Sequence, residues 1–562
     1  MKAEFWSDKR PAGVPSELVF DTYSSVVEVF ERSCAQFADR PAFSNLGVTL
    51  DYAQLHRYAS AFAAWLQQHT DLRPGDRIAV QMPNVLQFPI AVFGALMAGL
   101  VVVNTNPLYT VREMRHQFKD SGARALVYLN LFGKKVEQVL VDTSIDYLIE
   151  AKMGDLLPTA KGWLVNLLVA KVKKMVPAYH LPQAVAMRSI LQNGQAPNVK
   201  PVPLGQDDIA VLQYTGGTTG QAKGAMLSHG NLIANMLQVQ ACFEQRLEGG
   251  QKMIEPGREI MIAPLPLYHI YAFTANCMCM MVSGNHNVLI TNPRDIGGFI
   301  KELKKWHFTG LLGLNTLFVA LMDHPEFRSL DFSGLKVTNS GGTALATATA
   351  ERWESLTGCR IVEGYGLTET SPVACANPYG ASGRLGTVGI PLPGTALKVI
   401  DDQGVELPTG ERGELCIQGP QVMKGYWNNA AATEETLDAD GWLKTGDIAV
   451  IDPDGFVRIV DRKKDMIIVS GFNVYPNEVE EVVMGHPGVA NCAAIGIPDA
   501  RTGEAVKLFV VPRAAGLNVE ELKAFCKANL TGYKVPHQIV LRETLPMTAV
   551  GKILRRELRD EK

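Results

Sequence analysis

The run Ile209-Ala-Val-Leu-Gln213 leads into Tyr214-Thr-Gly-Gly-Thr-Thr-Gly-Gln-Ala-Lys-Gly224, and this pairing of strand and loop constrains the chain more than any other segment. Gly216, Gly217 and Gly220 let the backbone approach a phosphate closely, and Thr215, Thr218 and Thr219 offer hydroxyls to its oxygens. Lys223 adds a positive charge. The loop is not a Walker A loop, which closes on Gly-Lys-Ser/Thr so that the hydroxyl can hold magnesium. Here Ala222 precedes Lys223 and Gly224 follows it, which disfavours a mononucleotide P-loop ATPase. Taken alone, the segment also reads as an ordinary turn.

Short β-branched runs alternate with longer amphipathic ones through the first two thirds of the chain. Examples are Arg77-Ile-Ala-Val-Gln81, Ala123-Arg-Ala-Leu-Val-Tyr-Leu129, Glu259-Ile-Met-Ile-Ala263 and Leu335-Lys-Val-Thr-Asn339. The pattern predicts an α/β architecture with largely parallel sheets. Near residue 386 the texture changes to dense turn signals, such as Asp401-Asp-Gln-Gly404 and Asp452-Pro-Asp-Gly455, which predicts a β-rich subdomain over about 386–461. The charged cluster Asp461-Arg-Lys-Lys-Asp465 reads as a linker into a tail with its own strands and a helix. The expected division is therefore residues 1–461 and 462–562, and 562 residues exceed what one core holds.

A net charge of −3 gives no general attraction to nucleic acid. Nine scattered cysteines without a Cys-x-x-Cys pair fit a reducing cytoplasm better than a disulfide framework or a zinc ribbon. The N-terminus has no apolar signal stretch, and Phe88 to Val103 is shorter than a spanning helix and contains Pro89. That segment reads as a buried helix running into a buried strand. Lys161-Gly-Trp-Leu-Val-Asn-Leu-Leu-Val-Ala-Lys-Val-Lys-Lys-Met-Val176 fits either a membrane surface or a helix docked on the domain with its lysines in water. Because Lys171 interrupts the apolar face, the docked helix is the expectation.

Four more segments follow the loop in order: Gly364-Tyr-Gly-Leu-Thr-Glu-Thr370, Trp442-Leu-Lys-Thr-Gly-Asp447, Asp461-Arg-Lys-Lys-Asp465 and Pro546-Met-Thr-Ala-Val-Gly-Lys552. Chemically, Glu369 is a hard oxygen ligand suited to magnesium, Tyr365 offers a flat face to an adenine, and a carboxylate such as Asp447 can accept two ribose hydroxyls. Singly, each has a plain alternative: a helix-start glutamate, packing beside a glycine turn, an Asx turn. Together the five segments resemble the adenylate-forming enzymes over nearly the whole chain. The stretch from Asp440 to Glu478 and the ending after Gly551 are most similar to the bacterial long-chain fatty acid–CoA ligases.

The resemblance implies a large N-terminal adenylate-forming domain, its β-rich subdomain, and a small mobile α+β C-terminal domain. It implies a fatty acid, ATP and coenzyme A as substrates, with Mg2+. Thr215, Gly216, Gly217, Thr218, Thr219, Gly220 and Lys223 would take the phosphates. Gly341, Gly342, Gly364 and Tyr365 would line the adenine side, Gly366 and Thr368 would also bind the nucleotide, and Asp447 would take the ribose with Arg462 at the ribose or a phosphate. Lys552 would align the carboxylate with the α-phosphate, where a cation offsets the repulsion of two anions. His269, in Pro264-Leu-Pro-Leu-Tyr-His269, resembles an aromatic gate by the acyl site, and the run from Tyr271 to Val282 lines that site or is core. Lys464 falls at the hinge and Gly471 on the face for the CoA step. By local sequence alone, Lys552, Arg555, Arg556 and Arg559 read as a solvated basic helix. With ten residues after Lys552 and no carrier-protein domain among them, a free-standing ligase is expected rather than an assembly-line module. An acyl-AMP ligase serving a carrier protein and a non-catalytic acyl-binding or uptake protein are the alternatives. A cytoplasmic location is expected, with peripheral association at the inner face of the membrane and a homodimer both left open.

Overall fold

A computed structural model describes residues 3–192, 198–215, 222–246, 250, 252–548 and 551–561. Its described residues form four sheets, two of them large and mainly parallel. The seven-stranded sheet runs in the order Val185–Ala186, Tyr147–Ala151, Ala125–Leu129, Arg77–Gln81, Val101–Asn104, Ile209–Thr215 and Lys223–Ser228. Only the last pair is antiparallel. The nine-stranded sheet has a parallel centre flanked by antiparallel strands, Val48–Asp51 at one edge and Val373–Ala376 with Ile390–Pro391 at the other. The strands Ala125–Leu129 and Val101–Asn104 are buried at every position, as expected where both faces of a parallel sheet are covered. This is the expected α/β class, with a large N-terminal part and a small C-terminal one.

The helix Gln87–Met97 is buried along its whole length and feeds the strand Val101–Asn104, as the apolar run from Phe88 to Val103 predicts. The helix His229–Phe243 starts on a capping box, in which the Ser228 hydroxyl accepts from the Asn231 amide and the Asn231 side chain accepts from the Ser228 amide. Its buried amides then act as fasteners. Asn231 donates to the carbonyls of Pro420 and Val422, Asn235 to Val373, and Gln238 to Pro393. Each bond satisfies a polar group that would otherwise be costly to bury.

A four-stranded antiparallel sheet follows, Ala396–Ile400, Arg412–Gln418, Leu443–Ile451 and Val457–Arg462. After the short turn Lys463–Asp465 the chain enters a five-stranded sheet. Its helices Pro476–Met484 and Val519–Asn529 share a separate core of Val479, Val483, Leu508, Leu522 and Cys526. The nine cysteines are all free. Among the described residues no helix is long and apolar enough to cross a membrane.

Candidate functional site

A cleft of about 1610 Å³ opens where the carboxyl ends of the nine-stranded sheet meet the antiparallel sheet and the C-terminal part. Carboxyl ends of parallel strands are where open α/β sheets take ligands. Val337–Ser340 delivers Gly341 and Gly342 to this cleft, and Ile361–Gly366 delivers Gly364, Tyr365 and Gly366. The turn Thr368–Thr370 then adds Thr368 and Glu369.

Asp447 and Arg462 stand opposite each other on neighbouring antiparallel strands. The Asp447 carboxylate is nearly fully buried, with Arg462 Nε 3.2 Å from Oδ1 and the Tyr365 hydroxyl donating to Oδ2 at 2.6 Å. Burial, then the Asp447 charge, pushes the Tyr365 phenol well above its ordinary value, so it stays a donor. Each carboxylate oxygen keeps a second lone pair, so this anchored Asp447 can still accept ribose hydroxyls.

Thr215 and Lys223 face each other as the last and first residues of an antiparallel pair. The tip between them, with Gly216, Gly217, Thr218, Thr219 and Gly220, lies outside the described residues. Lys223 Nζ sits 5.0 Å from the ring centre of Tyr426, whose hydroxyl donates to Glu369 Oε1 at 2.6 Å. One aromatic therefore joins the loop cation to the candidate metal carboxylate. No sequence signal marks Tyr426: it is one aromatic beside another in Gly425-Tyr-Trp427, and its partner Glu369 is 57 residues away.

Lys552 reaches the cleft from a tight loop closed by a Met547–Ile553 bridge, in which the Thr548 amide donates to the Lys552 carbonyl at 2.7 Å. Its Cε lies 3.6 Å from where a β-carbon on Gly342 would stand, an ordinary contact distance, and it is the φ of +84° at Gly342 that favours glycine there. Burial lowers the ammonium to about 8, with Arg462 adding to the shift and Asp447 and Glu369 opposing it. His269 is lowered to about 3, by burial first and Lys552 second. The neutral imidazole caps the helix Ile270–Ala272, Nδ1 accepting from the Tyr271 amide at 3.3 Å.

Beyond His269 the cleft has an apolar arm. Val239, Cys242 and Phe243 of the helix His229–Phe243 line it together with Ala275, Cys279 and Met280, and the two segments pack on each other through Gln240, which donates to the Cys279 carbonyl at 2.7 Å. Ala275 and Cys279 belong to a π-helical turn, Phe273–Cys279, and the run from Tyr271 to Val282 both lines the cleft and belongs to the core.

Lys464 lies in the turn Lys463–Asp465 and lines the cleft. Gly471 does not: it sits in the exposed turn between Ile467–Val469 and Phe472–Val474, with φ of +81°. The basic terminal helix departs from the solvated reading at Arg555 and Arg559, while Arg556 is exposed as that reading expects. Arg555 is only 16% exposed and contacts Glu480 at 2.9 Å, Asp465 at 3.4 Å and Asp461 at 3.8 Å. Arg559 adds a second bond to Asp465 at 2.9 Å.

The family model described as AMP-binding enzyme matches residues 30–427, and that described as AMP-binding enzyme C-terminal domain matches residues 478–552. A long-chain-fatty-acid–CoA ligase of Escherichia coli O6:H1 is 52% identical over 556 residues, covering 99% of this chain and 98% of that protein. One of the same description from Bacillus subtilis is 36% identical over 563 residues, with the same coverages. Among solved structures, a benzoate CoA ligase from Burkholderia xenovorans superposes with a TM-score of 0.81 at 26% identity, over 96% of this chain and 100% of that one.

Proposed function

This chain belongs to the AMP-binding enzymes, and from that premise we infer that it is an ATP-dependent long-chain fatty acid–CoA ligase. The fatty acid carboxylate attacks the α-phosphate of ATP, forming acyl-adenylate and releasing pyrophosphate. The thiol of coenzyme A then attacks the acyl carbon, forming the thioester and releasing AMP. The curated relatives of the same description, matched end to end, support the substrate class.

The observation that carries the site assignment is the placing of Lys552. Its half-buried arm reaches the Gly341–Gly342 turn beside His269, with Glu369 and Asp447 as the anionic groups that act on its charge. A cation there can bridge an incoming carboxylate and an α-phosphate. We assign Thr215, Lys223 and the loop they flank to the pyrophosphate side, Asp447 and Arg462 to the ribose, and Gly341, Gly364, Tyr365, Gly366 and Thr368 to the adenine. The apolar arm behind His269 takes the acyl chain. Glu369 fits magnesium of the kind carried by a nucleotide, which uses one or two carboxylates, substrate phosphates and water. No group of three or more candidate ligands occurs among the described residues, and such an ion does not need one. Magnesium, when bound, neutralises charge building on the phosphate oxygens.

The two steps want different groups at one place, since Lys552 would obstruct an approaching thiol. We therefore take residues 462–562 as a body that turns about Lys464 and brings the Gly471 turn to the cleft for the second step. Support comes from Gly471 lying exposed and off the cleft while Lys552 is in it. We place the enzyme in the cytoplasm, where its cysteines stay reduced.

Incubation with palmitate, ATP and magnesium, with and without coenzyme A, tests the function. Palmitoyl-CoA and AMP forming together only with coenzyme A is the expected result. Palmitoyl-AMP released regardless of coenzyme A would favour the carrier-protein alternative, and no AMP at all would sink the reading. The pH profile tests Lys552. The cation is needed, and it is lost as pH rises through its value of about 8, so kcat/KM for adenylation falls roughly tenfold per unit on the alkaline side. An alkaline limb that is absent up to the range of an ordinary lysine would refute that role.

A further inference from the structure

The helix Thr159–Leu167 and its π-helical continuation Leu168–Val172 are turned inside out. The one buried residue of the first segment is Gly162. A β-carbon on Gly162 would meet the Gly154 carbonyl oxygen at 2.4 Å, so the helix docks through backbone contact. One turn on, Asn166 Oδ1 accepts from the Gly154 amide at 2.8 Å. The small and polar positions thus face the protein. The large apolar ones face out: Trp163 is 66% exposed, Leu164 56% and Val172 72%, with Leu167 and Leu168 also exposed. Trp163 is the one exposed tryptophan of the chain's seven. The docked-helix expectation is corrected in orientation: the helix docks, but with its apolar face in water. Such a contiguous face normally marks a contact.

Charge says with what. From residue 156 to residue 206 the sequence holds no aspartate or glutamate, while Lys161, Lys171, Lys173, Lys174, Arg188 and Lys200 all fall there. Lys171, Lys173 and Lys174 are exposed next to Val172. The carboxylates just before the stretch, Glu150 and Asp155, are turned inward. A convex apolar strip with an interfacial tryptophan and a lysine rim that lacks acids matches the acyl boundary and headgroups of an anionic bilayer.

We propose that this helix is a membrane-docking surface that inserts Trp163, Leu164, Leu167, Leu168 and Val172 into an anionic lipid surface, with Lys171, Lys173 and Lys174 on its headgroups. The assignment does not depend on which acid is activated, although a long-chain acid dissolves in the same phase.

Flotation of the full chain with vesicles of phosphatidylglycerol and phosphatidylcholine, and with phosphatidylcholine alone, tests this. The protein floats with the anionic vesicles, and its Trp163 emission shifts to the blue. A variant with Trp163, Leu164, Leu167 and Val172 changed to Gln stays at the bottom. Changing Lys171, Lys173 and Lys174 to Gln weakens partitioning on the order of a hundredfold. Both variants keep adenylation of a short soluble acid, which shows that they fold. Failure of the unaltered protein to float overturns the proposal, as does flotation that the apolar variant leaves unchanged. Conversion of a dimer into a monomer by that variant, without vesicle binding by the parent, would instead make the strip a contact between two copies.

Discussion

Lys552→Ala lowers acyl-adenylate formation by about a thousandfold and leaves thioester formation from supplied acyl-adenylate within about threefold. The first figure is the upper range for removing one charge-stabilising group from a water-poor site. It applies here because the ammonium lines the cleft within reach of the charges of Arg462, Asp447 and Glu369 rather than standing free on the surface. The second follows from the order of events: once the adenylate exists, no anion–anion approach remains to be offset. Pyrophosphate exchange reads the first half-reaction, and acyl-CoA formation from synthetic palmitoyl-AMP reads the second. Equal loss in both would show that Lys552 holds the fold or the product, and the site assignment would fail. Thermal unfolding should shift little, since the substitution removes a charge whose burial is unfavourable.

Arg555→Ala should destabilise the C-terminal part by about 3 kcal/mol at neutral pH. The guanidinium lies among Asp461, Asp465 and Glu480, all largely buried, and its removal leaves Asp461 and Glu480 without this counter-ion and Asp465 with Arg559 alone. Asp461 is already held up at about 6, burial outweighing the Arg555 charge. The sign of the pH dependence follows. A carboxyl with a raised folded value binds protons more readily folded than unfolded, so stability falls as pH rises from the usual carboxyl range through about 6. The deficit of the variant is therefore largest above that value and shrinks below it. Arg555→Lys recovers part, because a single ammonium cannot place one nitrogen on Glu480 (Nη2 at 2.9 Å, Nε at 3.2 Å) and another on Asp465 (Nη1 at 3.4 Å). Limited proteolysis of residues 462–562 against pH reads the effect. Equal resistance of variant and parent at neutral pH would show that the three acids are satisfied without Arg555.

Motifs whose chemistry lies within a few residues are legible in the sequence alone. The strand at 209, the glycines at 341 and 364, and the Thr-Glu-Thr turn all sit at the cleft that their residue types imply. What escapes a reading of the sequence depends on distance along the chain or on which side of a helix is inside. Arg555 finds Glu480 and Asp465 at separations of 75 and 90 residues, so nothing near it reveals that it is buried. Periodicity groups Trp163 with Leu167 but does not say which way the group faces, because Gly162 and Asn166 form an equally regular stripe. The apolar arm has the same cause: its lining comes from residues 239–243 and 275–280, and an apolar helix lining a cavity has the composition of one in the core.

The row of amides on the helix His229–Phe243 has a mechanical consequence. The same rod that presents Val239, Cys242 and Phe243 to the apolar arm is pinned by Asn235 to the strand that follows Glu369, and by Asn231 to the loop leading to Tyr426. With the tail in that arm and Glu369 at the phosphates, as proposed above, seating the tail and aiming the phosphate would be strokes of one lever. Fatty acid length should register in the maximal rate of adenylation as well as in affinity. Identical rates at saturation for short and long acids would mean that the lever is slack.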